Sequence, residues 1–351
     1  MKAATFRGPS RPYLEIKDVP TPKPGPGGEI LIRVASTGIC HSDIHLFKGD
    51  FGPVGQGFIP GHEISGWVED LGPDVKNPWG GLRKGDPVIV SWIVPDGICK
   101  YCASGKENYC PAAAGRMTGL VGLNGGHAEY LTVPEIAVIP PLEKGVDVYY
   151  ASPIACAYGT AYRALREAGV EPGTSLVIIG VGGVGLSAVQ LASAMGAYPI
   201  IAVDIRDYAL DKARELGATH VINSSKEDPI SRIRDILPDG ADVVHEARPE
   251  PDLKLAVEAV TRAGTIVVTG LGGPKSTFSI NTLPFVINGT KIIGSLGYRP
   301  RLDLPEIIKL VASGKIDIKK LVSHVYKPEQ INEAYENLEK GLHARAIVKW
   351  G

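Results

Sequence analysis

Net charge is almost missing from this 351-residue sequence, in which 37 Lys and Arg against 38 Asp and Glu leave a formal -1 near neutral pH. Without a basic excess there is no electrostatic reason to expect nucleic acid or any other polyanion as a partner. Long hydrophobic runs are missing as well. No stretch approaches the roughly 20 consecutive apolar residues that cross a bilayer, so no membrane role is expected. The segment Met1 to Lys17 has no apolar run that could serve as a secretory signal, and a cytoplasmic protein is the expectation. Cysteines are few and odd in number, five, and three of them (Cys99, Cys102 and Cys110) crowd into one short segment. That suits metal binding better than a secreted disulfide framework. Internal repeats and low-complexity linkers are also absent. What is present is an ordinary globular mixture, 44% hydrophobic and 21% charged. The chain exceeds the roughly 250 to 300 residues at which single cores stop growing, which predicts two domains.

From residue 1 to about 150 the sequence runs in short β-like stretches broken by Gly and Pro, among them Ile30 to Val34, Val88 to Val90 and Glu129 to Val133. This predicts an irregular, mainly-β domain. Between Thr174 and Ser295 six apolar runs alternate with amphipathic stretches: Ser175 to Ile179, Ile200 to Val203, Val221 to Ile222, Val243 to Val244, Ile266 to Val268 and Ile292 to Ile293. Such alternation predicts an α/β domain with a doubly wound parallel sheet. Two helical segments follow, near Leu304 to Ala312 and Pro328 to Leu338. A last strand, Ala346 to Lys349, is expected to return to the first domain.

The run Gly180-Val181-Gly182-Gly183-Val184-Gly185 directly follows the first of these strands and opens a helical pattern carried by Val184, Ala188, Leu191 and Met195. Glycines there permit a tight turn and let a pyrophosphate approach the helix N-terminus. The next strand ends in Asp204, whose carboxylate can accept hydrogen bonds from a ribose diol and repel a 2′-phosphate, which favours NAD. Arg206 argues the other way, since a guanidinium can receive that phosphate, and it keeps NADP as the alternative coenzyme. A glycine turn that serves only strand-helix packing would account for the glycines but not for the acid that follows them.

Asp96, Cys99, Cys102 and Cys110 are spaced so that one loop can wrap a tetrahedral ion; thiolates with a carboxylate favour zinc, and four protein ligands leave no open position. Asp96 can alternatively be a turn residue beside Gly97, leaving three thiolates. A second set is dispersed: Cys40 in Gly38-Ile39-Cys40-His41-Ser42-Asp43-Ile44-His45, His62 in Gly61-His62-Glu63, and Cys156 in Ala155-Cys156-Ala157-Tyr158-Gly159-Thr160. Spacing alone does not join these residues, and a lone buried cysteine is usually a small apolar side chain.

Taken together the motifs resemble the zinc-containing alcohol dehydrogenases of the medium-chain dehydrogenase/reductase family, along essentially the whole chain. The resemblance implies a GroES-like, mainly-β catalytic domain over residues 1–152, a Rossmann dinucleotide-binding domain over 153–295, and a C-terminal segment, 296–351, that returns to the catalytic domain. It implies two zinc ions per chain: a catalytic one on Cys40, His62 and Cys156 with Glu63 behind it, and a structural one on Asp96, Cys99, Cys102 and Cys110. Asp96 departs from the family, which usually has a fourth cysteine there. The segment Lys76 to Lys84, with Trp79-Gly80-Gly81, is longer than usual and reads as a surface loop.

The activity so implied is reversible hydride transfer between a primary, secondary or cyclic alcohol and NAD. Zinc acts as Lewis acid, Ser42 takes the hydroxyl proton, and His45 receives it on the solvent side through the coenzyme ribose. His41 and Arg345 match contacts to the pyrophosphate, Thr160 a contact to the nicotinamide, and Gly270 and Leu271 further coenzyme positions. A zinc-free quinone or enoyl reductase on the same scaffold would lack the ligands present here, and a non-catalytic zinc or NAD module would need neither Ser42 nor His45. Family members are homodimers or homotetramers, so pairing through the edge strand carrying Ile292 and Ile293 is expected. Phe51, Leu271 and Leu296 are candidates to shape the substrate cleft. So is Ile93, which by its position before Asp96 would leave room for bulky groups, whereas a register shifted by one residue would put Trp92 there instead.

Overall fold

The computed structural model describes residues 1–76, 81–140 and 143–351 and divides into two compact units, Met1–Gly159 with Tyr298–Gly351, and Thr160–Gly297. These divisions fall near residues 159 and 297, against 152 and 295 in the sequence reading. In the first stretch of unit 1 the strands are β1 (Lys2–Phe6), β2 (Leu14–Asp18), β3 (Glu29–Ile39), β4 (Ile64–Leu71), β5 (Pro87–Val90), β6 (Met117–Thr118), β7 (Gly122–Leu123), β8 (Tyr130–Pro134) and β9 (Val138–Ile139). Unit 2 contains β10 (Leu176–Ile179), β11 (Ile200–Asp204), β12 (His220–Asn223), β13 (Ala241–Glu246), β14 (Val260–Val268) and β15 (Lys291–Gly294). Unit 1 resumes with β16 (His324–Tyr326) and β17 (Ala346–Lys349).

Unit 2 is the predicted doubly wound sheet, in the order β12-β11-β10-β13-β14-β15 with every neighbour parallel. Its central strand, Leu-Val-Ile-Ile, is buried along its whole length, as β-branched and apolar runs covered on both faces must be. The helix Gly183–Met195 begins straight after this strand and stops at Gly196, whose left-handed backbone (φ 83°) suits glycine. Chain order reverses around β10, and in such sheets ligands bind beyond the strand ends at the reversal.

The main sheet of unit 1 runs β16-β17-β3-β4-β5-β9, with β8 also on β3. Long β3 organises it: β4 pairs antiparallel along one edge with Thr37 opposite Ile64, and β17 along the other with Ala346 opposite Ile39. The aromatic core beneath includes Phe47 edge-on to Tyr335 at 5.0 Å and stacked on Tyr13 at 4.8 Å. The returning C-terminal segment thus supplies two strands, β16 and β17, and a core tyrosine to unit 1.

Candidate metal and coenzyme sites

Strand register assembles the dispersed ligands. Beyond the Thr37–Ile64 pair, the Gly38 amide donates to the Glu63 carbonyl (3.0 Å), so Cys40, at the start of the helix His41–Lys48, falls beside His62. Gly38 is required at this crossing, because a Cβ there would stand 1.9 Å from Oε2 of Glu63. Cys156 arrives through a serine clasp: Ser36 bonds Ser65 and Ser152 at 3.1 Å each, and Ser65 donates to the Val148 carbonyl (2.7 Å). One donor atom from each of Cys40, His62, Glu63 and Cys156 lies within 4.8 Å of the others, and all four residues are buried.

The charges in this pocket are interdependent. The Cys156 thiol hydrogen-bonds Cys40 and, against burial, holds it well below the usual thiol range, while Cys156 itself is pushed well up by that bond and by burial. Burial works against a charged His62 ring, yet the Asp43 carboxylate leaves it well above the usual range. Burial pushes the Glu63 carboxyl up to about 7 against the pull of Arg345. Nδ1 of His62 donates to Asp43 (2.9 Å), whereas its Nε2 is buried with no partner. An imidazole fixed on one nitrogen and bare on the other, beside two thiols, is the donor chemistry of a zinc ligand set. These residues fit the ion.

Around this set, Oγ of Ser42 lies 3.8 Å from the Cys40 sulfur, and Nδ1 of His45 meets Asp50 at 2.7 Å. His41 is exposed at the first residue of its helix. The indole of Trp92 stands edge-on to the His62 ring at 6.4 Å and to Tyr298 at 5.9 Å.

The second set is local. Sγ of Cys99 is 3.5 Å from that of Cys102 and 3.8 Å from that of Cys110, and Oδ1 of Asp96 lies 3.4 Å from the Cys102 sulfur. The same oxygen accepts the amides of Ile98 (2.9 Å) and Cys99 (3.0 Å), which hold the carboxyl below the usual carboxylate range. Asp96 therefore makes the turn and stands among the thiols at once. Burial pushes the Cys102 thiol up to about 12, a value that a cation would have to overcome. These are the two such donor clusters among the described residues.

In unit 2 the glycines divide their tasks. Gly180 takes φ 86°, and a Cβ on Gly185 would sit 2.0 Å from the Gly180 carbonyl oxygen, so helix and strand could not close up. Around Gly182, the N-cap of the helix, a Cβ would meet nothing within 4 Å, and no side chain caps the helix. Amides of the first turn thus open onto space, as a phosphate requires. Oδ2 of Asp204 accepts the Val181 amide (2.9 Å), and Oδ1 accepts Nε of Arg206 (3.0 Å). Thr160 lies in the helix Ala157–Glu167, and Gly270 and Leu271 follow β14.

A family model described as the alcohol dehydrogenase GroES-like domain matches residues 25–144, and one described as zinc-binding dehydrogenase matches residues 183–313. An alcohol dehydrogenase of Geobacillus stearothermophilus is 36% identical over 355 residues, covering 99% of each chain. The chain belongs to the zinc-containing alcohol dehydrogenases of the medium-chain dehydrogenase/reductase family. An NAD-dependent alcohol dehydrogenase of Sulfurisphaera tokodaii is also 36% identical, over 337 residues and 93% of each chain. Among solved structures, the alcohol dehydrogenase of Thermus sp. ATN1 superposes with TM-score 0.89 at 29% identity, covering 99% of each chain. Benzyl alcohol dehydrogenase of Acinetobacter calcoaceticus gives 0.89 at 31% identity, covering 99% of this chain and 98% of its own. Like these zinc-type dehydrogenases, the chain is an oxidoreductase.

Two residues singled out through the family resemblance have these surroundings. Arg345, expected on the coenzyme pyrophosphate, is buried, because the Ala346–Ile39 pairing carries it beside Cys40; its Nη1 donates to the Ile39 carbonyl (2.9 Å) and to Oε1 of Glu63 (2.8 Å). Trp92 stands against the His62 ring, while the Ser91 hydroxyl accepts the Ile93 amide (3.0 Å) and donates to the Ile93 carbonyl (2.9 Å), tightening the chain just past β5. Sequence reasoning also passed over Asp43, His127 and Tyr335, all fully buried. A signal for Asp43 was available, since an acid among Ile44, Leu46 and Phe47 on a buried helix face needs a partner. Of the loop Lys76 to Lys84, residues 77–80 lie outside the described residues.

Proposed function

We propose that this enzyme interconverts an alcohol and its carbonyl compound with NAD as hydride carrier, using one zinc ion held by Cys40, His62 and Cys156 and a second held by Asp96, Cys99, Cys102 and Cys110. The observation that carries the reading is the buried donor cluster around His62, with Nε2 left bare. Zinc held there by Cys40, His62 and Cys156 would supply Lewis acidity toward the alcohol or carbonyl oxygen of the substrate. The chain's own residues do the rest. Ser42, next to Cys40, accepts the substrate proton; His45, oriented by Asp50, passes it to solvent. Glu63, anchored by Arg345, keeps a carboxylate behind the ligands.

In unit 2 the amides after Gly182, with Gly180, Gly183, Val184 and Gly185, hold the pyrophosphate, and Asp204 holds the adenosine ribose. Ion pairing of Arg206 with Asp204 supports NAD over NADP, because that guanidinium is already engaged. His41, Thr160, Gly270 and Leu271 are assigned to coenzyme contacts. Trp92 narrows the site beside His62, so flat or slender substituents suit it better than branched ones.

We also assign a homodimer or homotetramer built on the open edge of β15. The neighbouring helix Thr282–Asn288 leaves Leu283, Val286 and Ile287 64 to 71% exposed, an apolar face that a second copy would cover. Sedimentation as a monomer at micromolar concentration would remove that assignment. A reducing cytoplasm is the compartment that keeps the zinc-site thiols reduced, and all five cysteines are unpaired as thiols. No helix among the described residues is long and apolar enough to cross a membrane.

The deciding experiment combines metal analysis with turnover on a panel of alcohols and carbonyls, with and without chelator. Two zinc ions per chain are expected, falling to one in Cys40→Ala together with all activity. A content near one that Cys40→Ala leaves unchanged refutes the catalytic site. Chelator-resistant reduction of conjugated double bonds would favour the zinc-free reductase reading.

A further inference from the structure

The polar groups behind His62 do not end at Asp43. Oδ2 of Asp43 accepts the Tyr335 hydroxyl (2.9 Å) and the Cys40 amide (3.2 Å); the Tyr335 oxygen lies 2.6 Å from Nε2 of His127; Nδ1 of His127 lies 2.9 Å from Oγ1 of Thr37; and Oγ1 of Thr37 accepts Nε1 of Trp350 (3.0 Å). Every member of this chain is at least nine-tenths buried. We infer that Tyr335 and His127 are positioning residues of the metal centre, the middle links of a hydrogen-bond chain that runs one way from Trp350 to Asp43 and holds the carboxylate that takes the Nδ1 proton of His62 and so leaves Nε2 for the ion.

Proton placement along the chain has one solution. A carboxylate only accepts, so Nδ1 of His62 and the hydroxyl of Tyr335 must both donate to Asp43. With its proton spent, the Tyr335 oxygen can only accept from His127, which therefore carries its hydrogen on Nε2. Neutral His127 then has a bare Nδ1, which takes the Thr37 proton, and the Thr37 oxygen accepts from indole Nε1, which can only donate. Burial keeps His127 neutral, its pKa pushed down to about 4. Packing holds the links in place independently of the bonds. A Cβ on Gly61 would stand 2.6 Å from Nδ1 of His127, and the Trp350 ring stacks on His127 at 6.4 Å. The backbone next to His62 is thus shaped around the His127 ring.

This inference rests on the reading that Cys40, His62 and Cys156 hold zinc, and its test separates the two. Zinc release from the holoenzyme to a chelator is followed for wild type, Tyr335→Phe, His127→Phe and the double variant, with the Cys99 lobe as internal reference and the visible spectrum of cobalt(II) at the Cys40 site as a second readout. Outer partners of metal-ligating histidines commonly change metal affinity by about 10- to 100-fold. About tenfold faster release from the Cys40 site is expected for either single variant, with a shifted cobalt spectrum and no change in the lobe. Breaking one chain twice adds nothing, so the double variant should match the singles. His127→Gln, which keeps an N–H for Tyr335, should recover most of the retention. Should Tyr335→Phe not fold, His127→Phe and His127→Gln carry the comparison. Unchanged release and spectrum, or additive losses in the double variant, overturn the chain. Wild-type zinc content that Cys40→Ala leaves unaltered overturns the underlying reading instead, and the chain with it.

Discussion

Replacing Gly38 with alanine tests how tightly the backbone of β3 is fitted to the metal centre. The new methyl would lie 1.9 Å from Oε2, 2.6 Å from Cδ and 2.9 Å from Cβ of Glu63, none of which can retreat into solvent, since Glu63 is fully buried. Two responses are open. If β3 and β4 shift apart, the cost is that of an overpacked core, about 1–3 kcal/mol. If the carboxylate swings away, its bond to Arg345 (2.8 Å) breaks and a buried charge loses its partner, which costs about 3–5 kcal/mol. The smaller cost prevails where it can, so a loss of about 3 kcal/mol is expected, or roughly 10 °C in the melting transition that includes unit 1. Calorimetry of the zinc-loaded protein measures it. Gly182→Ala is the contrasting control: nothing lies within 4 Å of its new methyl, so stability should hold while coenzyme affinity falls. A Gly38→Ala protein within about 0.5 kcal/mol of wild type, retaining its zinc, would show that Glu63 is not pressed against β3 and would refute the register-based account of the site.

Asp204→Ala removes the acceptor for the Val181 amide and for Arg206, so catalytic efficiency with NAD should fall while the freed guanidinium lets NADP gain; a wild-type preference for NADP would reverse the weighting of the two residues. Acid should weaken the fold through His245, which burial in unit 2 holds neutral with its pKa pushed down to about 4 from the usual 6.5. The unfolded chain binds that proton first, so stability is complete above about pH 6.5 and declines toward pH 4, by at most roughly 3 kcal/mol for this ring. Comparing melting at neutral pH and near pH 5 for wild type and His245→Phe tests the sign: the variant should lose less on acidification, and equal losses would exclude His245 as a source.

Legibility of the sequence followed the range of the contacts. The six parallel strands of unit 2 could be read because each is a continuous apolar run between helices, a signal contained in a few residues. The lobe at Asp96 could be read for the same reason, its donors falling inside one loop. Cys40, His62 and Cys156 were joined only by family resemblance, since what joins them physically is the β3–β4 register and the Ser36–Ser65–Ser152 clasp, neither visible in spacing. The bond from Arg345 to Glu63 was not legible because the sequence does not state that β17 lies beside the end of β3. His127 and Tyr335 were passed over because a buried histidine or tyrosine looks like any other until its partners, some 208 residues apart in sequence, are seen 2.6 Å from each other.

The path of the chain through unit 1 sets an order of assembly. Unit 2 is continuous, but unit 1 is complete only when Tyr298–Gly351 has been added, and β17 docks beside the end of β3, next to Cys40, after every other strand has been made. Synthesis proceeds from the N-terminus and domains tend to fold as they emerge. The lobe at residues 96–110 can close on its ion with most of the polypeptide still to come, whereas Glu63 must wait for Arg345, and Thr37 for Trp350. Chains arrested on the ribosome before Arg345 are therefore expected to carry zinc in the lobe and little at Cys40, and equal occupancy of both would disprove that order. Metal scarcity late in translation would then yield folded, half-loaded enzyme rather than unfolded chain.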